Sequence, residues 1–352
     1  MKSVKMNKNK VLLGLSGGVD STTAALLLKE KGFEVIGYYF DVTGDNIDAA
    51  SEAMKTAEQL GIELICEDVS EEFSKIVIDN FCSEYLKGRT PNPCIVCNPN
   101  IKFKKLIQHA DEIGAYYIAT GHYCRIEHDE KDDLYYVCRS ANEKKDQSYM
   151  LYRIGQDVLS RLIFPLGDFT DKSDIRDVAR ENNMLNAEKK DSQELCFVDA
   201  GMNYVDYIKE YGLESMPGKF IDKDGNILGN HKGIVNYTIG QRKGLGIALG
   251  KPSFITKIDC ENNCITLGDN MDLFTKKVLC KDVFFPGNNP LKYNNKKVSA
   301  KTRYSAKMST AVITVQNDII TALFDEPQRA ATPGQSIVFY HKDRVIGGGF
   351  IE

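Results

Sequence analysis

An apolar segment near the N-terminus runs into a glycine-rich turn and then directly into a helical pattern. This segment, residues 11–21, reads VLLGLSGGVDS. A strand that ends in adjacent glycines before a helix is suited to binding phosphate. Backbone N–H groups can approach an anion there without interference from Cβ atoms, and the helix dipole favours negative charge. No Gly-Lys-Ser/Thr follows, so the loop is not a Walker A motif.

Strand-like and helical segments alternate from residue 11 to about residue 119. Such alternation predicts a parallel sheet covered by helices, which is a doubly wound α/β domain. Ligands of these domains bind beyond the carboxyl ends of the strands, where the glycine-rich turn lies. The predicted strands are 11–15, 34–40, 62–66 and 115–120, and the predicted helices are 21–31, 48–60, 71–86 and 101–113.

The pattern of the sequence changes beyond about residue 211, where turn dipeptides such as Pro217-Gly218 and Asp224-Gly225 separate short segments. Candidate hairpin strands lie at 254–258 and 264–267. The remainder alternates as β-strands do, at 298–304, 310–315, 319–324 and 336–340, which favours a small antiparallel barrel. We therefore predict three domains: an α/β domain at 1–212, a small β-rich central domain at 213–273 and a C-terminal β-barrel at 274–352.

Composition and charge limit the classes of function. The chain has 352 residues, ten cysteines and a net charge of −4, yet residues 275–352 contain 12 Lys plus Arg and only 6 Asp plus Glu. Ten cysteines in a chain of this length do not make a disulfide scaffold. Residues 1–10 are polar, with no apolar core of a signal peptide, so we expect a cytoplasmic protein without a membrane segment. A basic C-terminal part is typical either of nucleic-acid binding or of a lysine-rich, solvated surface.

A C-x-x-C motif, Cys94 to Cys97, lies in a proline-rich stretch just before the predicted helix near residue 101. We expect a turn here, with reactive thiols. The dipole of the following helix and the charges of Lys102, Lys104 and Lys105 should favour the thiolate form. No second C-x-x-C or C-x-x-H completes a zinc site.

Two resemblances extend these inferences. The string SGGVDS at 16–21 resembles the pyrophosphate loop of the ATP pyrophosphatase superfamily, whose members cleave ATP to AMP and pyrophosphate. Further motifs, spread over nearly the whole chain, resemble the tRNA-specific 2-thiouridylase family. They are TPNPCIVCN at 90–98, ATGHY at 119–123, KDQSY at 145–149, DSQELCF at 191–197, GQRKGLG at 240–246 and TPGQS at 332–336.

The second resemblance implies a complete reaction. A member of this family converts the wobble uridine of certain tRNAs to 2-thiouridine, using ATP and Mg²⁺. ATP adenylates the C2 oxygen, and sulfur then replaces it. Cys196 matches the cysteine that carries the persulfide, while Cys97 matches the partner thiol that frees the sulfur or closes a disulfide with Cys196. The sulfur would come from a cysteine desulfurase or a sulfur-relay protein.

The resemblance also implies binding residues. The ATP site would comprise Gly14, Leu15, Ser16, Gly17, Gly18, Val19, Asp20, Ser21, Phe40 and Gly121. The residues implied to contact tRNA are Asn92, Pro93, Cys94, His122, Lys145, Asp146, Gln147, Arg303, Tyr304 and Gln335. These residue types suit an enzyme that extracts a base from its stack and holds the backbone with cations.

One residue departs from the family pattern, and several alternatives stay open. Family members have an aspartate, proposed as the acid/base, at the position of Cys94. Together with Cys97 and Cys196, this third thiol could instead ligate a [4Fe–4S] cluster that performs the same reaction. Another ATP pyrophosphatase, such as an amidotransferase or ligase, is a further alternative, as is a non-catalytic RNA-binding or sulfur-carrier protein.

Overall fold

The computed structural model describes residues 5–44, 47–189, 195–199, 201–247 and 250–352. The chain divides into two compact units. The first unit comprises 1–76, 94–197 and 342–346, and the second comprises 77–93, 198–341 and 347–352. The boundaries of the three predicted domains remain a prediction.

The strands and helices follow one another along the chain. The strands are β1 (Asn7–Gly14), β2 (Glu34–Asp41), β3 (Leu64–Asp68), β4 (Ala115–Thr120), β5 (Cys124–Asp129), β6 (Leu134–Arg139), β7 (Leu162–Ile163), β8 (Gly218–Ile221), β9 (Ile227–His231), β10 (Phe254–Asp259), β11 (Cys264–Gly268), β12 (Phe274–Phe284), β13 (Lys296–Lys301), β14 (Ser309–Gln316), β15 (Ile319–Arg329), β16 (Ser336–His341) and β17 (Arg344–Ile351). The α-helices are α1 (Val19–Glu30), α2 (Ile47–Leu60), α3 (Ser70–Phe73), α4 (Asp79–Leu86), α5 (Pro93–Cys97), α6 (Phe103–Glu112), α7 (Gln156–Leu159), α8 (Lys172–Glu181) and α9 (Tyr204–Glu210).

The first unit contains a five-stranded parallel sheet in the order β3-β2-β1-β4-β7. The second half of the central strand β1 is apolar, and Val11, Leu12 and Leu13 are fully buried because both faces of the sheet are covered there. Helix α1 packs against β1 and α8. The predicted α/β fold is confirmed. The glycine-rich loop at 14–21, which is predicted to bind phosphate and is called the phosphate loop below, follows the carboxyl end of β1.

The Cys94–Cys97 segment was expected to be a turn, and this expectation was wrong. Pro93–Cys97 forms the short helix α5, a π-helical turn follows at Asn98–Lys102, and α6 begins at Phe103. Proline is tolerated at the first position of a helix because the N–H that it lacks has no partner there. In this segment Pro93 is therefore the first residue of a helix and not part of a turn.

The second unit contains a small mixed sheet in the order β10-β11-β8-β9, in which only β11 and β8 are parallel. The predicted hairpin is confirmed as β10 and β11. Its core includes the buried side chains of Phe220, Ile255 and Ile265.

Six antiparallel strands of the C-terminal region close into a barrel in the order β12-β15-β14-β13-β16-β17, and pairing of β12 with β17 completes the circle. The predicted barrel is confirmed. Every second residue of β14 from Ala311 to Val315 is buried, as a barrel wall requires. In the first unit, the hairpin of β5 and β6 pairs with the start of β17, where Cys138 lies opposite Arg344.

Among the residues that the structure describes, no helix is both long and apolar enough to cross a membrane.

Candidate active site: a phosphate loop and three cysteines

The loop between β1 and α1 is held in a conformation that requires glycine. Gly17 has φ +73°, which L side chains rarely adopt. A Cβ there would lie 3.0 Å from the backbone of Glu52 and Ala53 on α2. Gly18 precedes α1 in an extended conformation without a side-chain cap. The start of α1 therefore keeps the N–H groups that bind an anion at a helix N-terminus.

Two serine hydroxyls hold the loop against itself. Ser21 Oγ donates to the Gly18 carbonyl at 3.1 Å and accepts from the Ser16 backbone N–H at 3.2 Å. The Ser16 and Ser21 hydroxyls lie 3.3 Å apart. Asn186 supports the same loop, since its Nδ2 donates to the Gly17 carbonyl at 3.0 Å. Local sequence did not reveal Asn186, because it is far from the loop along the chain.

Asp20 is fixed in the first turn of α1 by two side chains from other elements. Tyr123 Oη donates to Asp20 Oδ1 at 2.7 Å, and Lys172 Nζ lies 3.2 Å from the same oxygen. The end of β4 approaches this turn closely. A Cβ on Gly121 would lie 2.9 Å from backbone atoms of Asp20 and Ser21. Gly121 thus permits the contact between β4 and α1. No local sequence motif indicates Lys172.

Cys94 and Cys97 lie on α5, and burial dominates their acidity. Cys97 is 8% exposed, whereas Cys94 reaches the surface. Burial raises the pKa of both thiols, and the nearby charge of Lys102 offsets only part of this effect. The expectation that the thiolates are favoured was wrong, because loss of hydration outweighs the effect of the lysine.

Cys196 belongs to the same cluster, although it is remote in sequence. Its side chain keeps accessible surface, yet protein atoms surround it closely. Burial first, then the charges of Cys97 and Cys94, raise the pKa of Cys196 to about 12. The fold therefore brings all three thiols within electrostatic range of one another. All ten cysteines belong to the described residues, and no two of them form a disulfide.

The three cysteines do not form a metal site in this arrangement. Within the described ranges, no group of three or more His, Cys, Asp or Glu side chains is placed to hold a metal ion. The [4Fe–4S] alternative is not supported by this finding and stays a hypothesis.

Lys102 is the cation beside the thiols. Its Nζ lies 5.9 Å from the centre of the Phe40 ring at the end of β2. Lys104 is paired with Glu72 at 2.7 Å and Lys105 with Glu67 at 3.0 Å. Lys102 has no such carboxylate partner among the described residues. Of the three lysines named from sequence, only Lys102 lowers the pKa values of the cysteine thiols.

His122 lies beside this cluster in its neutral form. Burial, followed by the charge of Lys102, holds the pKa of His122 well below its usual value. Its Nδ1 lies 2.6 Å from Thr120 Oγ1, and the centre of its ring lies 6.0 Å from the ring centres of Phe103 and Phe164. The arrangement provides a neutral hydrogen-bonding ring instead of a charge.

Comparison with known proteins identifies the family. Three family models match successive regions of the chain: a "tRNA methyl transferase HUP domain" at 9–200, a "tRNA methyl transferase PRC-barrel domain" at 205–269 and an "Aminomethyltransferase beta-barrel domain" at 276–351. A tRNA-specific 2-thiouridylase MnmA of Clostridioides difficile is 47% identical over 99% of both chains. The MnmA of Acetivibrio thermocellus is 44% identical, over 99% of this chain and 100% of that protein. This chain belongs to the MnmA family.

The HUP region of this MnmA family member contains the phosphate loop and all three cysteines. The first unit contains five of the predicted tRNA contacts, namely Cys94 and His122, described above, and Lys145, Asp146 and Gln147. The side chains of Asp146 and Gln147 are hydrogen-bonded within the protein. Asp146 is 4% exposed and accepts hydrogen bonds from the backbone N–H groups of Ser140 and Ser148. Gln147 Oε1 accepts from the Tyr123 N–H at 2.9 Å. Lys145 is half-buried. Their contacts with tRNA stay predictions.

The remaining predicted tRNA contacts of the MnmA family member lie in the second unit. Asn92 is half-buried and Pro93 is buried. Gln335 Nε2 donates to the Thr90 carbonyl at 2.8 Å. Between β13 and β14, Arg303 has an Nε without a hydrogen-bond partner in the described part of the chain, and Tyr304 is 37% exposed. Residues 191–194 of the DSQELCF motif lie outside the described residues.

Proposed function

We propose that this protein catalyses the ATP-dependent 2-thiolation of the wobble uridine of tRNA. The observation that carries the proposal is the convergence of Cys97 and Cys196 in the unit that also contains the phosphate loop. Sulfur transfer from a persulfide needs a second thiol nearby. An enzyme that activates a carbonyl with ATP needs a phosphate cradle. The relatives named 2-thiouridylase support the same reaction.

The first step activates the base. The C2 oxygen of uridine attacks the α-phosphorus of ATP, the bond to the β-phosphate oxygen breaks, and pyrophosphate leaves. A uridine carbonyl carbon is a poor electrophile, whereas an adenylated one carries a good leaving group. The loop from Gly14 to Ser21, with Gly121 beside it, would hold the phosphates. Phe40 would meet the adenine.

The second step transfers sulfur. The terminal sulfur of a persulfide on Cys196 bonds to C2 as the C2–O bond breaks and AMP leaves. Cys97 then attacks Sγ of Cys196 and gives up its thiol proton, which the base takes up at N3, and the electron pair of the broken S–S bond remains on the sulfur attached to C2. The products are 2-thiouridine and a Cys97–Cys196 disulfide. A thiol reductant must reduce this disulfide before the next turnover.

The raised thiol pKa values fit a site that stays unreactive until it is loaded. At neutral pH the free thiols are protonated, which suppresses wasteful oxidation. A persulfide is more acidic than a thiol, so loading Cys196 supplies the missing anion. Lys102 is placed to stabilise that anion. Neutral His122 can hydrogen-bond to the base without adding a second positive charge.

The remaining components of the proposal are the partners. The basic C-terminal region would bind the tRNA backbone. A cysteine desulfurase or sulfur-relay protein would load Cys196, and the cytoplasm would keep the thiols reduced. Mg²⁺ would arrive with ATP. Because no metal-ligand group is present among the residues described, the phosphate oxygens would supply most of its ligands.

The test uses purified protein, ATP, Mg²⁺, a persulfide donor and unmodified tRNA. We expect pyrophosphate release that depends on tRNA, and 2-thiouridine in the digested product. Cys97→Ser and Cys196→Ser should each abolish 2-thiouridine, whereas Cys260→Ser, an exposed cysteine of the second unit, should not. Undiminished 2-thiouridine from either of the first two variants would exclude the two-thiol mechanism.

A further inference from the structure

The phosphate loop lacks a positive charge of its own. Residues 11–21 contain a single ionisable side chain, and it is the carboxylate of Asp20. Asp20 lies in the first turn of α1, where the phosphates of a nucleotide would bind. A carboxylate at this position repels phosphate. A loop of this kind needs a cation from elsewhere in the fold.

The structure places one such cation at the loop. Lys172 is the first residue of α8, and its side chain is only 14% exposed. Its Nζ lies 3.2 Å from Asp20 Oδ1 and 3.3 Å from Asp20 Oδ2. The same ammonium lies 5.9 Å from the centre of the Tyr123 ring. Lys172 is therefore directed at the start of α1.

Packing of α8 on α1 holds Lys172 in position. Thr23 Oγ1 on α1 donates to the carbonyl of Ile175 on α8 at 3.1 Å, and both Ile175 and Ala179 are fully buried. The carboxylate of Asp171 caps α8 by accepting from the Ser173 N–H at 2.8 Å. The N-terminal cap of α8 and its packing on α1 thus fix the backbone that carries Lys172.

We propose that Lys172 is the phosphate-binding lysine of this site. The inference rests on the proposed function, which assigns ATP to the loop. In the absence of nucleotide, Lys172 neutralises Asp20. When ATP binds, the ammonium contacts phosphate oxygens while it remains beside Asp20. Lysine suits this role because its charge is compact and its three donors can be shared between two anions. The lysine that a Walker A loop supplies locally comes here from a separate helix.

A different role for Lys172 would give a different experimental result. Lys172 could act only through Asp20, by holding its carboxylate in place. A double-mutant cycle separates the two roles. If Lys172 contacts phosphate, Lys172→Met weakens ATP binding both in the native background and in Asp20→Asn. If it acts only through Asp20, the effect of Lys172→Met disappears in the Asp20→Asn background.

The experiment measures dissociation constants for ATP and for pyrophosphate, each with Mg²⁺, by calorimetry on the full chain. We expect Lys172→Met to weaken both by roughly tenfold or more, as loss of a charge-assisted contact does. Lys172→Arg should retain part of the affinity. Lys55→Met, which removes the same charge from an exposed position on α2, should bind as the native protein does.

The possible outcomes are distinct. Native affinity in Lys172→Met, or an effect that vanishes in Asp20→Asn, overturns the inference. Lys172→Gln, which can still hydrogen-bond to Asp20, serves if the methionine variant does not fold, and circular dichroism checks each variant. A native protein that binds neither ATP nor pyrophosphate would overturn the proposed function itself. A native protein that forms 2-thiouridine, with full nucleotide affinity in Lys172→Met, would overturn only the role of the lysine.

Discussion

The ammonium of Lys102 lies 5.9 Å from the centre of the Phe40 ring, and its charge acts on the thiols of Cys94, Cys97 and Cys196. The same cation therefore lies near Phe40, the predicted adenine contact, and within electrostatic range of the cysteines that are proposed to transfer sulfur. The neighbouring lysines cannot replace it, because carboxylates neutralise both. This arrangement leads to the first prediction.

Lys102→Met should make the three thiols less acidic. Because the lysine lowers the pKa of each thiol, its removal reduces the thiolate fraction at a given pH, and alkylation becomes slower. We expect iodoacetamide to modify Cys97 and Cys196 several-fold more slowly, as measured by mass spectrometry of digested protein. Lys104→Met is the matched control, since its ammonium already pairs with Glu72 at 2.7 Å. Equal slowing in both variants would contradict the prediction.

The second prediction concerns the pH dependence of Cys196. With its pKa raised to about 12, the thiol is protonated at neutral pH, and its thiolate fraction grows as the pH rises. The rate of alkylation should therefore increase roughly tenfold per pH unit from 7 to 10, without a plateau. A plateau below pH 9 in the native protein would contradict the prediction.

The third prediction tests the shape of the phosphate loop. Gly17→Ala combines a positive φ with a Cβ 3.0 Å from the backbone of α2. Gly32→Ala is its control, since Gly32 has φ +83° but open space around a Cβ. Both variants should lose about 1 kcal/mol of unfolding free energy through backbone strain. Only Gly17→Ala should weaken ATP binding, measured by calorimetry. Equal ATP affinity in the two variants would show that the contact with α2 does not shape the loop.

The fold was largely predictable because its signals are local. Buried parallel strands read as continuous apolar runs, and each predicted helix of the α/β domain has a counterpart in the structure. Two barrel strands were not predicted. The charged sequence of Phe274–Phe284 and the three glycines of Arg344–Ile351 both depart from ordinary strand composition. Their pairing partners, rather than their own propensities, determine that they are strands.

The site was less predictable, because its chemistry depends on contacts between remote residues. The phosphate loop is a local motif and was recognised from sequence. Lys172 and Asn186 reach it from positions more than a hundred residues away, and no local signal marks them. The acidity of Cys97 was misjudged for a related reason. Its neighbouring lysines are visible in the sequence, whereas the burial that outweighs them is a property of the fold.

The last prediction separates two roles of Gln335, which the family resemblance assigns to tRNA binding. Its Nε2 already donates to the Thr90 carbonyl at 2.8 Å. Gln335→Ala should therefore lower the unfolding free energy by about 1 kcal/mol through loss of this hydrogen bond, as measured by urea denaturation. Gln316→Ala, at an exposed position at the end of β14, should change it by less than about 0.5 kcal/mol.

Arg303, which the family resemblance also assigns to tRNA binding, provides the complementary comparison, because its Nε is buried without a hydrogen-bond partner within the described structure. Arg303→Ala should weaken tRNA binding and reduce the salt dependence of log Kd by about one unit of slope, with little change in stability. If Gln335→Ala instead leaves the unfolding free energy unchanged and weakens only tRNA binding, its bond to Thr90 is replaced by a bond to tRNA in the complex. Both variants are measured with the same tRNA at several salt concentrations. The comparison distinguishes a side chain that stabilises the folded protein from one that binds the RNA.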